Sequence, residues 1–485
     1  MKKQAHGLSA WQLTMLALGT VIGGSFFLGS SVAINAAGPS IIIAFILGGI
    51  IVYFTLFALS EMTVANPDVG SFRTFAAQAF GPSAGFVVGW VYWIGMVLAM
   101  SSEAAAVSIL VREWYPALSV ALLGSFVIVG VTLLNLLGAD KLSKLESGLA
   151  AIKLLALASF ILVALLLILG LFANGHGIGA GELAREPFMA SGLKGIAGSM
   201  LIVIFSYAGF EIIGLAASET DNPAVTVPKA IFRTVVILVG LYVVSMTVLL
   251  PLVPTASLSE EFSPMVAALN RWGITWAGSV LNLVLITAIL STMLAAMFGL
   301  GRMMRSLAAE GQAPAVLKDR GNVPYRGILF SGATMLTGLG IGLLFPRVYL
   351  FLISSGGFAL LFTYAVIMAT HLRFRKKHGC PPSGKCQMPG YPYSSWIVLV
   401  SLILIIISMP LIPGQGTGLV AGLILTAVTS VFAMIVMRSQ GLQTNRTASK
   451  GRSEKSFPTE LSVEFSKELV DDNACQSGRK KVDEE

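Results

Sequence analysis

Apolar runs of roughly 20 residues recur from Trp11 to Met437, and this recurrence limits the possible folds more than any other feature. At about 1.5 Å of rise per residue, each run is long enough to cross a hydrocarbon layer about 30 Å thick. Inside that layer every peptide group must bond within its own chain, which leaves helices as the natural element. Charged residues make up 12% of the chain and hydrophobic ones 55%, too few charges to coat a soluble globule. Twelve spans are predicted, near 12–34, 41–62, 83–110, 118–138, 148–172, 194–217, 230–253, 274–300, 327–345, 348–370, 395–413 and 417–437. The first lacks a small-residue cleavage site and runs too long for a secretory signal.

An even number of spans puts both termini on one side. Of the 32 Lys and Arg residues, 26 fall in the termini and even-numbered loops or at the span ends beside them; five (Arg112, Arg185, Lys194, Arg271 and Arg347) fall in or beside odd-numbered loops, and Lys153 sits inside a span. Without the tail the count is still 17 against 5. The positive-inside rule then predicts cytoplasmic termini and a plasma-membrane, multi-pass protein. The net charge of +8 is therefore expected to reflect topology and not nucleic-acid binding. Residues 438–485 lack apolar periodicity and are expected to form a disordered cytoplasmic tail, with residues 1–11 as the other cytoplasmic end. Cys380 and Cys386 flank a short loop and are expected to be reduced thiols. No metal and no cofactor is expected.

Two spans are interrupted. Gly19-Thr-Val-Ile-Gly-Gly-Ser-Phe-Phe27 lies in span 1, and Phe205-Ser-Tyr-Ala-Gly-Phe-Glu211 lies in span 6. Unwound backbone is tolerated at membrane depth only where it lines an enclosed cavity, and paired breaks in corresponding positions point to the substrate site of a secondary transporter. Gly23 and Gly24 each cost a helix about 1 kcal/mol relative to Ala; they would let the backbone leave helical geometry, though small residues also serve close helix packing. The half-helix from Ser25 would offer N–H groups to a carboxylate, and the carbonyls upstream, such as that of Val21, would suit an ammonium. In span 6, Ser206, Ala208 and Gly209 lie among Phe205, Tyr207 and Phe210, which would complete the ammonium site and close over it as a gate. The two cradles together describe an α-amino acid.

These motifs resemble those of an amino acid permease of the amino acid–polyamine–organocation (APC) superfamily, and within it the bacterial amino acid transporter family. Ile22-Gly-Gly-Ser-Phe-Phe27 is similar to the family's Ile-Gly-Thr-Gly-Leu-Phe. Glu219-Thr-Asp-Asn-Pro223 with Pro228-Lys-Ala230 resembles its motif after helix 6, and Arg302-Met303 through Gly321-Asn-Val-Pro324 resembles its loop after helix 8. The resemblance implies an all-α membrane protein of twelve transmembrane helices. Residues 12–172 and 194–370 would form a 5+5 inverted repeat with broken helices 1 and 6, and residues 395–437 would supply two extra helices. It also implies a substrate site at Val21, Ile22, Gly23, Gly24, Ser25, Phe205, Ser206, Ala208 and Gly209. The chain departs from the family at Ser25, where glycine is usual, and in Ser291-Thr-Met-Leu-Ala295, which lacks an asparagine common in relatives.

Lys153 is the most demanding charge, because an ammonium inside a span costs on the order of 3 kcal/mol. The family resemblance suggests that it replaces a sodium ion beside helix 1. Proton coupling is the preferred expectation, with Glu211 and Glu103 as further proton carriers. A static ammonium bonded to helix 1 carbonyls, or one that reaches the cytoplasmic interface, stays open. Glu61 and Glu219 are expected to stabilise cytoplasmic loops. The motifs of zinc hydrolases, serine hydrolases and phosphate-binding loops are absent, which argues against an enzyme or an ATP-driven pump. The expected function is import of an amino acid by proton symport with alternating access. A neutral side chain is favoured because no arginine or second lysine falls in the predicted pocket, although Glu103 or Glu211 would suit a cationic one. An exchanger, or a receptor using the same pocket, is the alternative. The expected partners are the amino acid, protons and lipid; the oligomeric state is open.

Overall fold

The computed structural model describes residues 9–65, 72–171, 177–211, 213, 220, 222–319, 323–380 and 388–447. Among them every regular element is helical. Eight stretches are long and apolar enough to cross a membrane, and Ala10–Val21, Val120–Asn135 and Gly192–Phe205 are shorter apolar helices. Every predicted span falls on helical chain, the sixth only as far as Phe205. The rest of that span, apart from a few residues up to Ile213, lies outside the described residues, as does Glu219. The same holds for most of the tail, where the helix from Gln415 continues to Thr447, past the apolar stretch.

Span 1 comprises α1 (Ala10–Val21), the single turn α2 (Gly24–Phe27) and α3 (Gly29–Ala37). Ser9 starts α1 with a capping box: its hydroxyl accepts from the Gln12 N–H while the Gln12 side chain accepts from the Ser9 N–H. Next come α4 (Ile41–Ala65), the short α5 (Phe72–Phe80), α6 (Pro82–Arg112), α7 (Val120–Asn135) and α8 (Ala139–Ile168). The second half holds α9 (Gly192–Phe205), α10 (Pro223–Leu249), the short α11 (Pro264–Arg271), α12 (Thr275–Ala309), α13 (Tyr325–Gly342) and α14 (Val348–His378). The last two are α15 (Tyr393–Ser408) and α16 (Gln415–Thr447).

Span 5 differs from its expected bounds. Its helix begins at Ala139, after Gly138 turns the chain at φ 88°, so Lys153 lies well inside the helix and not near its start. Hydropathy marks where a helix becomes apolar, not where its hydrogen bonding begins. α5 and α11 are too short for a hydropathy window to find.

The centre of the molecule is α6 and α14, whose apolar windows are 72% and 83% buried, whereas that of α16 is 17% buried. Against this centre, α3 packs on α9 and α1 on α10, which brings the two interrupted spans side by side. One cytoplasmic-loop expectation needs correction: Cys380 is disulfide-bonded and not a free thiol. Cys386 lies outside the described residues.

Candidate substrate site

The first interruption is real and short. α1 ends at Val21, Ile22 is extended, and Gly23 has φ −142° and ψ −163° before α2 restarts the helix. That is extended backbone any residue can adopt, so conformational freedom does not explain Gly23. Close approach does. A Cβ on Gly23 would lie 3.1 Å from Thr292 Oγ1 of α12, and one on Gly24 would overlap the Glu103 carboxylate of α6.

Glu103 therefore occupies the predicted carboxylate cradle. The Gly24 N–H donates to its Oε2 at 2.9 Å, and the Ser25 N–H donates to it as well. Lys153 fills the other side of the break, donating to the carbonyls of Gly19 at 2.7 Å and Ile22 at 3.3 Å. These flank Val21, whose carbonyl was expected to meet an ammonium. Only 28% of the apolar window of α8 is buried, yet Lys153 itself has no exposed surface, so it is aimed inward from an outer helix. Its ammonium also acts on Glu103 through space. Snorkelling to the interface is thus replaced by capping of α1. The open backbone ends of span 1 are satisfied by one carboxylate and one ammonium of the protein's own.

The second interruption follows Phe205. The chain turns through 206–211, and Gly209 takes φ 103°, which a side chain would resist. Here glycine is needed for its backbone. The two breaks touch: Ser206 Oγ donates to the Ser25 carbonyl at 3.2 Å, and Thr20 Oγ1 donates to the Gly209 carbonyl at 3.2 Å. The Phe205 carbonyl, expected to await an amine, accepts from the Ala208 N–H at 3.0 Å and keeps one lone pair. Ala208 and Gly209 remain partly exposed, whereas Phe205 and Ser206 are buried. Glu211 is also buried, taking the Gly209 N–H at 2.8 Å and the Tyr364 hydroxyl at 2.6 Å.

The aromatics of the expected gate are packed among their neighbours. Tyr207 donates to the Phe45 carbonyl at 2.9 Å, and its ring contacts Phe45 and Tyr242; Phe210 lies 5.0 Å from Tyr364. Three tyrosines that sequence reasoning missed brace the breaks. Tyr242 of α10 donates to the Ser206 carbonyl at 3.0 Å, Tyr349 of α14 reaches the Gly24 carbonyl at 3.4 Å, and Tyr364 holds Glu211. A buried tyrosine needs a partner for its hydroxyl, which is the only signal that could have pointed to them. A separate cavity of about 800 Å³ lies on the flank between α4, α9 and α15. Its lining, including Phe54, Met200 and Tyr393, contains no charged residue, so it offers nothing to a zwitterion.

A sequence profile described as amino acid permease matches residues 12–443. The chain belongs to the amino acid permease family. The permease is 32% identical over 432 residues to the gamma-aminobutyric acid permease of Escherichia coli, covering 87% of this chain and 93% of that one. It is 32% identical over 434 residues to an uncharacterized amino acid permease, YvbW, of Bacillus subtilis, covering 88% and 95%. It is 30% identical over 450 residues to the L-asparagine permease of Salmonella typhimurium, covering 90% of each chain. The permease is accordingly a multi-pass membrane transporter of amino acids and not an enzyme.

Proposed function

We propose that this permease imports a neutral amino acid across the plasma membrane by proton symport. The observation that carries the reading is the internal pair at the first break: Glu103 on the Gly24 and Ser25 N–H groups, and Lys153 on the Gly19 and Ile22 carbonyls. These peptide groups suit the carboxylate and ammonium of an amino acid, and here the protein's own charges hold them. An entering carboxylate would take the N–H groups of Gly24 and Ser25 and displace Glu103, which would leave carrying a proton and not as a second anion in the same cradle. The substrate ammonium would use the carbonyls of Val21, Phe205 and Ala208. Proton loss from Lys153 would weaken its charge-assisted bonds to α1 and free that half-helix to tilt.

In this reading the twelve spans form an inverted repeat of spans 1–5 and 6–10, with both termini cytoplasmic, and one half rocks against the other to expose the site to each face. The Ser25–Ser206 and Thr20–Gly209 bonds between the breaks support it, since they tie the two interrupted spans into one element. A neutral side chain is favoured because Lys153 is engaged by backbone and Glu103 would leave the cradle as a neutral, protonated group. The test is uptake of radiolabelled amino acids into proteoliposomes under an imposed proton or sodium gradient. Accumulation that follows the proton gradient supports symport. Accumulation that follows sodium refutes it, exchange without a gradient makes the protein an exchanger, and binding without accumulation makes it a receptor.

A further inference from the structure

A strap made by residues 254–263, between α10 and α11, crosses the half-helix α3. Ser31 Oγ donates to the Phe262 carbonyl at 2.8 Å, and Asn35 Nδ2 reaches the carbonyls of Ala256 at 3.2 Å and Leu258 at 3.0 Å. One end of the strap is held by Glu186, which accepts from the Thr255 N–H at 2.8 Å and from its hydroxyl at 2.5 Å. The other end carries Glu260. Its Oε1 lies 3.5 Å from Arg347 Nε, and it also accepts from the Leu350 N–H. Its Oε2 is buried without a hydrogen-bond partner among the described residues.

We infer that Glu260 is a proton-binding site of the outer gate, and that protonation from outside fastens the strap over span 1. This rests on the topology proposed above, which puts the odd-numbered loop holding residues 254–263 on the outer face. The alternative is that the Glu260–Arg347 ion pair is itself the fastener. Exposure decides between them: the Arg347 side chain is 58% exposed and that of Glu260 only 19%. A largely solvated arginine gives little net attraction, whereas a mostly buried carboxylate with one unpaired oxygen is only partly compensated for its desolvation. Burial pushes the Glu260 carboxyl above the usual carboxylate range, against the pull of Arg347 and the Leu350 N–H, and with a further push from Glu261. Tyr349 is the remaining titratable neighbour, and its phenol feels Glu260 through space. With the strap lifted into water this burial is lost. The carboxyl binds its proton more readily with the strap down, so acid favours the strap-down state, and that preference is lost as pH rises through the raised value.

The experiment uses Ser30→Cys, an isosteric replacement of a fully buried residue of α3, labelled on whole cells with a membrane-impermeant maleimide. Because the thiolate is the reactive form, the rate is taken as a ratio to that of the exposed Ala256→Cys at the same pH; this ratio should fall by roughly fivefold or more as external pH falls from about 8 to about 5, the lower range of typical coupling factors. In the Glu260→Gln background the ratio should be low and flat across pH. In the Arg347→Ala background the midpoint should move to higher pH, because the group opposing protonation is gone. Faster labelling of Glu260→Gln than of its parent at pH 8, or an unchanged pH profile, overturns the proposal and makes the ion pair the fastener. Ser263→Cys, buried at the end of the strap, repeats the measurement should Ser30→Cys fail to fold. Ala256→Cys on the exposed part of the strap is labelled from outside if the topology holds; labelling only after permeabilisation puts the strap on the cytoplasmic face and overturns the topology itself.

Discussion

Adding one methyl group at Gly24 should do far more damage than adding one at Gly23. At Gly24 the new Cβ would overlap Glu103 Oε2 and come within 3.1 Å of Ile289 Cδ1. The isoleucine methyl ends a flexible side chain and can yield. The carboxylate cannot stay on the Gly24 N–H with a methyl in its place. A charge-assisted hydrogen bond contributes about 1.5–3 kcal/mol, so losing those to Gly24 and Ser25 together costs about 3–6 kcal/mol. The opposing gain in helix propensity, about 1 kcal/mol for Gly→Ala, is too small to compensate. At Gly23 the Cβ meets Thr292 Oγ1 at 3.1 Å and stays 3.6 Å from Glu103, a contact that a small shift of Thr292 relieves. Gly24→Ala is therefore expected to lower the thermal midpoint of the purified protein and to abolish uptake, because a substrate carboxylate would meet the same methyl. Gly23→Ala should keep measurable uptake with a raised KM. Combining Gly24→Ala with Glu103→Ala should restore the thermal midpoint relative to Gly24→Ala alone without restoring uptake, a non-additivity that a double-mutant cycle reads directly. If Gly24→Ala keeps the parent's thermal midpoint and KM, the cradle is not where substrate or Glu103 binds.

Lys153→Met keeps an unbranched stem one atom shorter but removes the donor from the Gly19 and Ile22 carbonyls; gradient-driven accumulation should fall to its level without a gradient while counterflow exchange persists, and full accumulation would end the coupling role. Tyr364→Phe removes the hydroxyl 2.6 Å from Glu211; losing about 1.5 kcal/mol, the lower end for a charge-assisted bond, should slow uptake roughly tenfold, and an unchanged rate would make that contact incidental. Glu61 of α4 lies 2.7 Å from His371 Nε2 and accepts the Met388 N–H at 2.7 Å, with Arg375 Nε at 3.5 Å. Breaking a buried ionic contact of this kind costs about 3–5 kcal/mol, so Glu61→Ala should lower the thermal midpoint sharply; a midpoint within error of the parent would show that the cluster contributes little.

The positions of the breaks were legible because a hydrophobic span that spends residues on Gly23, Gly24 and Gly209 has a reason to do so, and few reasons exist in hydrocarbon. The reasons themselves differ and could not be read in advance. Gly209 is a backbone requirement at φ 103°, whereas Gly23 and Gly24 make room for Thr292 and Glu103. The partner that fills the first break is 79 positions away on another helix, and nothing local to Glu103 says that its carboxylate will cap Gly24. Lys153 was legible as a charge in need of a partner because its insertion cost demanded one, yet its choice of the Gly19 and Ile22 carbonyls followed from how α8 packs on α1. Burial cost thus identifies which residues must be satisfied, and packing decides by what. The filling of the first break then follows from that same rule. Peptide groups left open for a travelling substrate would be costly when it is absent, so the protein supplies an anion at one end of the break and a cation at the other. In the proposed cycle a substrate carboxylate reaches the Gly24 and Ser25 N–H groups only by displacing Glu103, which makes the movement of that side chain a condition of binding and not a consequence of it.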